Sequence, residues 1–409
     1  MLDNINLNSF LKFGYYLRYQ NPHYQLSFPA HLESQYQNCP EEELVSMGAE
    51  KLKQAIRHSF VPGRHHVVPL SGGIDSRMLL AGIMELTEAS NISAFTYGTP
   101  GSQDYEIGRF IASKAGVEHV ALDLSRKRFS IEEALELSRR TNNQSLIFHQ
   151  FPILEVEKRF PGSMIWSGAI IDVLFGRHYH VNKGKSLEEA KYNFIEENDF
   201  VSSINLTNVS NEAFFPLIEY DSQVSPEIMY EHVLDLTNRQ MKYVVSNTMP
   251  QGLEYGVLFQ DNDLVQFSFN VGLANTEHQY LYKKMVCKAF PGLFQYGVKS
   301  NFGVPFNAGK LRTRCARFRL SLQRALHKRI PWIQDPWVNY IDFDQGIRCR
   351  EDIRLIVCEC LKGLQKRQIV PWIDIDGIWN AHMKNHKKHA DAIIILASLE
   401  IHLLCGKEI

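Results

Sequence analysis

The hexapeptide Ser71-Gly72-Gly73-Ile74-Asp75-Ser76 constrains this chain more than any other segment. It follows an apolar run, Val67-Val68-Pro69-Leu70, and opens an apolar-periodic stretch from Arg77 to Met84. That order predicts a strand, a tight glycine turn and a helix. Such a turn gathers backbone N–H groups into one concavity at a helix N-terminus, where phosphate oxygens bind. Gly72 and Gly73 keep side chains out of the concavity and permit dihedrals that other residues avoid. Asp75 offers a hard oxygen ligand for Mg²⁺, and Ser71 and Ser76 offer hydroxyls. No Gly-Lys-Ser or Gly-Lys-Thr follows, so the loop is not a Walker A loop.

The flanking pattern extends the first unit. Glu41 to Phe60 has helical spacing, with Leu44, Met47, Leu52, Ile56 and Phe60 near one face. A second strand is expected at Ile92–Tyr97, followed by a Gly/Pro loop, Gly98 to Ser102. A helix from Asp104 to Ala115 stops at Gly116, and a third strand fits Glu118 to Leu124. A fourth runs from Ser163 to Trp166. Alternating strands and helices predict an α/β fold, a parallel sheet with flanking helices on both faces. Ligands of such sheets bind beyond the carboxyl ends of the strands, where the Ser71 and Gly98 loops fall. From about Ser186 the pattern is mostly helical, which adds a helical C-terminal part. Residues 1–40, rich in Phe, Tyr, Asn and Gln, read as an ordered arm. The expected organisation is thus an arm over 1–40, a phosphate-binding α/β core over 41–185 and a helical remainder over 186–409.

Bulk properties exclude little but point one way. The chain has 409 residues, 44% hydrophobic and 22% charged, with net charge −1. Nothing global draws it to nucleic acid or acidic membranes. Its seven cysteines are scattered without a CxxC pair and no signal peptide is recognisable, so reduced thiols and a cytoplasmic location are expected. The apolar tail from Ala392 to Leu404 is too short to cross a bilayer.

One charge run stands out. Lys310, Arg312, Arg314, Arg317, Arg319, Arg324, Lys328 and Arg329 occur with no acid between them. Contact with a polyanion, an acidic partner or a membrane surface is one reading. The plainer one, which we favour at this level, is a solvated amphipathic helix that includes Leu311, Phe318, Leu320 and Leu322.

Several strings then match one family. The Ser71 loop resembles the PP-loop of the ATP pyrophosphatases, which cleave ATP between its α and β phosphates. Within that group the chain resembles the synthetase domain of class B, glutamine-dependent asparagine synthetases, a domain shared with β-lactam synthetases and lasso-peptide cyclases. The matches are Thr96 to His119, Ser167 to Gly176 as the second phosphate loop, Glu254 to Phe267, Lys299 to Phe306 and the tail from Ile378 to Leu404. The resemblance implies ATP with adenine near Phe95, Tyr97 and Gly98, and phosphates in the Ser71–Ser76 loop and at Ser167 and Gly168. It implies Asp75 and Asp172 as Mg²⁺ carboxylates and Lys299 as the essential lysine. It implies a ligase in which a small-molecule or peptide carboxylate attacks the α-phosphorus, forming an acyl-adenylate and pyrophosphate. Ammonia or an amine then displaces AMP.

The chain departs from that pattern in four places. It opens Met1-Leu2, without the glutaminase whose cysteine follows the initiator, so free ammonia, an amine or a separate glutaminase or biosynthetic partner chain is expected as nitrogen source. Ala169 stands where the family has an acid or a tyrosine, Val173 replaces a Glu, and Ile170 and Ile171 replace small residues. Asn142-Asn143-Gln144 falls near an acidic substrate string, so the product is expected not to be asparagine. Gly256 stands at an Arg and Leu258 at a Pro, which removes a cation from the phosphate side. These leave open a second reading, a catalytically degenerate ATP-binding partner or regulatory subunit. His178 is weighed as a general base, and with His180 as a zinc pair, but neither has a sequence signal beyond proximity.

Overall fold

A computed structural model describes residues 3–178, 183–330 and 333–406. Its centre is a five-stranded, all-parallel sheet of β1 (His66–Pro69), β2 (Ile92–Gly98), β3 (Glu118–Asp123), β4 (Met164–Ser167) and β5 (Glu254–Val257). The spatial order is β3-β2-β1-β4-β5. Strands added after β1 first run outward on one side, then on the other. The reversal lies between β1 and β4, and crevices at such switch points are where open α/β sheets bind ligands. The Ser71 turn leaves β1 and the Ser167 loop leaves β4, so both loops expected to hold phosphate leave the sheet at that crevice.

Alternating side chains fill two layers. Val67, Phe95 and Ile165 enter a smaller core with Leu137, Phe151 and Val156. Val68, Ala94 and Trp166 point the other way into the largest core, with Leu52, Met78, Phe267, Tyr282 and Met285. The helix Glu41–Ser59 supplies Leu44, Leu52 and Ile56 to it, as its spacing predicts. The strand β5 was not foreseen. It is four residues long, and Glu254 and Gly256 give it no strand propensity of their own.

A further core joins the chain's two ends. Leu7, Phe10 and Leu11 of the helix Asn4–Phe13 pack with the helices Glu351–Arg367 and Ala390–Leu404. Buried Tyr16 OH meets His402 Nδ1 at 3.2 Å. Asn142 and Asn143 both adopt positive φ just after the helix Ile131–Arg140. Gln144 accepts the Tyr16 N–H at 3.0 Å, so this string ties the N-terminal segment to the body.

The basic run forms the helix Lys310–His327. Among its apolar residues only Leu320 is buried, whereas Leu311, Phe318 and Leu322 stand in solvent. A solvated helix was expected; large apolar side chains on the solvated face were not. No helix of the described residues is long and apolar enough to cross a membrane.

Candidate active site

A cleft of about 570 Å³ opens at the carboxyl edge of the sheet. Ser71, Gly73, Ile74 and Asp75 form one wall and Tyr97 another; Lys299, Asp104 and Arg177 project charge into it. Six of the residues expected from sequence therefore share one cavity: Ser71, Gly73, Ile74, Asp75, Tyr97 and Lys299.

The glycine turn works differently from the expectation. Neither Gly72 nor Gly73 has positive φ. What Gly72 supplies is space: a Cβ there would lie 3.1 Å from the Gln103 carbonyl and 3.1 Å from Lys299 Cβ. Three N–H groups of the turn already have partners. Ser71 N–H donates to Ser76 Oγ at 3.1 Å, Gly73 N–H to Ser71 Oγ at 3.1 Å, and Gly72 N–H to Asp104 Oδ1 at 3.3 Å. The following helix, Asp75–Met84, has no side-chain capping bond at Ile74, which leaves first-turn donors for a ligand.

Asp75 lines the cleft; Asp172 does not, but lies close enough for its charge to act on Asp75. Burial, and then the neighbouring Asp172 charge, push the Asp75 carboxyl well above the usual range. Tyr282 OH donates to Asp75 Oδ1 at 2.6 Å, and burial raises the phenol so that it stays a donor. Asp172 sits on the short helix Ile171–Leu174 and pairs with Arg177 at 2.5 Å. The loop before it is tight: Ile170, a β-branched residue, has φ +71°. Gly168 backs directly onto Asp75, since a Cβ there would come within 2.7 Å of Asp75 Cβ. Ser167 and Gly168 brace the cleft from behind and do not line it. Gly176 closes the segment at φ +85°, where a Cβ would collide with the Thr276 carbonyl at 1.9 Å.

Lys299 arrives on a hairpin-like turn bridged by Val298 and Val304. Its N–H donates to the Gly72 carbonyl at 2.9 Å and its ammonium pairs with Asp104. The fully buried Arg77 anchors this turn from below. Its guanidinium donates to the carbonyls of Tyr296 at 3.1 Å and Gly297 at 2.7 Å, and lies over the Phe294 ring.

Two features of the structure bear on the adenine expectation. Phe95 is wholly buried in the smaller core, because it lies three residues short of the strand's end. The backbone groups around Gly98 are engaged by a segment from far along the chain: Asn339 Nδ2 donates to the Tyr97 carbonyl at 3.2 Å, and Thr99 N–H donates to the Asn339 carbonyl at 2.8 Å. Trp337, Asn339 and Tyr340 line the cleft there.

Of the remaining candidates, Gly256 cannot carry a longer side chain, because a Cβ would meet the Trp166 ring at 2.8 Å. His178 Nδ1 meets the buried Asp235 at 3.0 Å and His178 does not line the cleft. His180, Met1 and Leu2 lie outside the described residues. Asp104, Arg177, Tyr282, Trp337, Asn339 and Tyr340 were not singled out from sequence. Only Asp104 carried a signal, as an acid just after the loop that ends β2.

A family model described as asparagine synthase matches residues 48–331. No curated protein matches the chain. Among solved structures, an NH3-dependent NAD synthetase from Campylobacter jejuni, in complex with nitrate, covers 53% of this chain and 100% of its own at 13% identity and TM-score 0.24.

Proposed function

Because the chain belongs to the asparagine synthase family, we propose that it is an ATP-dependent carbon–nitrogen ligase that activates a carboxylate as its acyl-adenylate and transfers the acyl group to ammonia or an amine. The observation that carries this reading is the convergence of Lys299, Asp104, Asp75 and Arg177 on one cleft over the glycine turn. Few other uses explain two carboxylates and two cations set around a helix N-terminus.

A partly buried carboxylate whose proton affinity is raised by burial and by a neighbouring carboxylate suits Mg²⁺, which would supply the missing positive charge. Asp75 and Asp172 are the residues that would hold it, and its charge would offset that of the departing pyrophosphate. Tyr282 keeps the Asp75 carboxylate oriented. Arg177 neutralises Asp172 in the metal-free protein and is free to turn to a phosphate once Asp172 is otherwise engaged. In this reading Arg177 supplies the cation that Gly256 does not.

In the first step a substrate carboxylate oxygen attacks the α-phosphorus and the bond to the β-phosphate oxygen breaks. Lys299, extended from a turn braced by Arg77, stabilises the charge developing on the leaving group. In the second step the amine nitrogen attacks the acyl carbon, AMP leaves with the bonding electrons, and the nitrogen gives up a proton. Ala169 has no group to accept that proton, so the incoming substrate or solvent takes it.

The test is product identity. Candidate carboxylates with Mg·ATP should yield AMP and pyrophosphate, and Asp75→Asn should abolish both. ADP and phosphate would refute adenylation. Mg·ATP binding with no turnover of any acid–amine pair would favour the regulatory-subunit reading.

A further inference from the structure

The helix Lys310–His327 presents an apolar ridge away from the body of the protein. Leu311, Cys315, Phe318, Leu322 and Leu326 recur at steps of four and three, so they share one face. Leu320 and Gln323 lie on the opposite face. Leu320 is buried, and Gln323 Nε2 donates to the carbonyls of Gly101 at 3.3 Å and Gln334 at 2.9 Å. The helix thus turns its polar-tethered side inward and its greasier side outward.

This is unlike the rest of the surface. Leu311 is 77% exposed, Phe318 71% and Leu322 49%; Leu311 and Phe318 exceed every other exposed large apolar residue among those described. Scattered single apolar residues need no explanation, but a contiguous stripe does.

Charge frames the stripe. Arg312 and Arg319 flank it on one side and Lys310 and Arg314 on the other, all exposed. No acidic residue occurs anywhere between Glu277 and Asp335. Two basic residues of the helix are engaged, Arg324 with Asp335 at 3.3 Å and Arg317 over the Phe302 ring, and both lie toward the inward side.

We propose that this helix seats the protein on an anionic phospholipid surface. The ridge stands out from the body of the protein and carries one sign of charge along both flanks, with no acidic side chain on the helix to pair with a mixed-charge partner surface. A fluid anionic interface accepts that arrangement directly: Leu and Phe enter the acyl boundary while arginine stems reach sideways to the phosphates. A nucleic acid would use the arginines but leave the ridge in water. The near-zero net charge of the whole chain makes the attraction a property of this face alone.

The test is co-sedimentation of the full chain with vesicles of phosphatidylcholine, with and without phosphatidylglycerol. The wild type should pellet with the anionic vesicles and stay in solution with the neutral ones. Phe318→Asn with Leu322→Asn should abolish pelleting while leaving the melting temperature unchanged, since both side chains already stand in water. Arg312→Gln, Arg314→Gln and Arg319→Gln together should weaken partitioning on the order of a hundredfold. A wild type that remains in the supernatant overturns the proposal, as does full pelleting of the Phe318–Leu322 double variant. A dimer in solution that the double variant dissolves, without pelleting, assigns the face to a second copy instead.

Discussion

Lys299 and Asp104 form an ion pair across the cleft, and Asp104 is also the acceptor for the Gly72 N–H at 3.3 Å. One carboxylate therefore bridges the lysine turn and the glycine turn, two segments more than two hundred residues apart in the chain, and adds to the direct bond from the Lys299 N–H to the Gly72 carbonyl. If Lys299 acts on the phosphates, Lys299→Ala should lower pyrophosphate release by about 10²–10³-fold. Asp104→Asn, which keeps a hydrogen-bonding oxygen but frees the ammonium, should cost about tenfold. Equal losses for the two would mean that Asp104 itself contacts substrate. Rate measurements at saturating Mg·ATP decide this.

Arg77 carries stability and positioning together. Replacing it with Met keeps the stem but strands the carbonyls of Tyr296 and Gly297 in a buried place. The expected loss is about 2–4 kcal/mol, read as a lower urea midpoint. The Lys299 turn should loosen with it, so the surviving folded fraction should turn over more slowly. A variant with wild-type stability would show that the carbonyls find water.

The Asp75 carboxyl gives the metal-free protein a pH signature. Its proton is held to about pH 7 in the fold, against an ordinary aspartate value of 3.8. The folded state therefore binds this proton more tightly than the unfolded one. That contribution is complete below the unfolded value and is lost as pH rises through the folded value. Stability should fall between about pH 4 and pH 7, as the buried Asp75 comes to be charged. Asp75→Asn should remove this fall and be the more stable protein at about pH 8. Mg²⁺ should raise the wild-type melting temperature there and leave the Asn variant unmoved. The same pH slope in both proteins would remove Asp75 as its source.

Much of this was legible because it is local. The glycine turn, its strand and its helix are contiguous, and the sheet follows from apolar runs separated by helical periodicity. Lys299, which lines the cleft, lies in a string with a recognisable pattern of its own. What was hidden depends on distant contacts. Arg77 sits inside an apolar-periodic stretch, and nothing nearby announces that three carbonyls some 220 residues on will need a buried donor. Trp337, Asn339 and Tyr340 follow a basic helix and carry no motif. They reach the cleft only because Asn339 and Pro336 hydrogen-bond the loop after β2. The dihedrals of Gly72 were misread for a related reason: its lack of a side chain serves a long-range approach by Lys299, which a local turn argument does not contain.

Asn339 bears on nucleotide affinity. Its side-chain amide and main-chain carbonyl pair with the Tyr97 carbonyl and the Thr99 N–H, a donor and an acceptor side by side at the end of β2. That is the pattern an adenine edge offers, with its exocyclic amine donating and a ring nitrogen accepting. If the base uses these groups, it must first displace Asn339. Asn339→Ala removes the competing donor to Tyr97, a hydrogen bond worth about 0.5–1.5 kcal/mol. Mg·ATP should then bind about two- to tenfold more tightly by calorimetric titration, with the fold unchanged because the side chain is half-exposed in the cleft. Weaker binding would mean instead that Asn339 belongs to the finished pocket, holding Trp337 and Tyr340 where the base stacks between them.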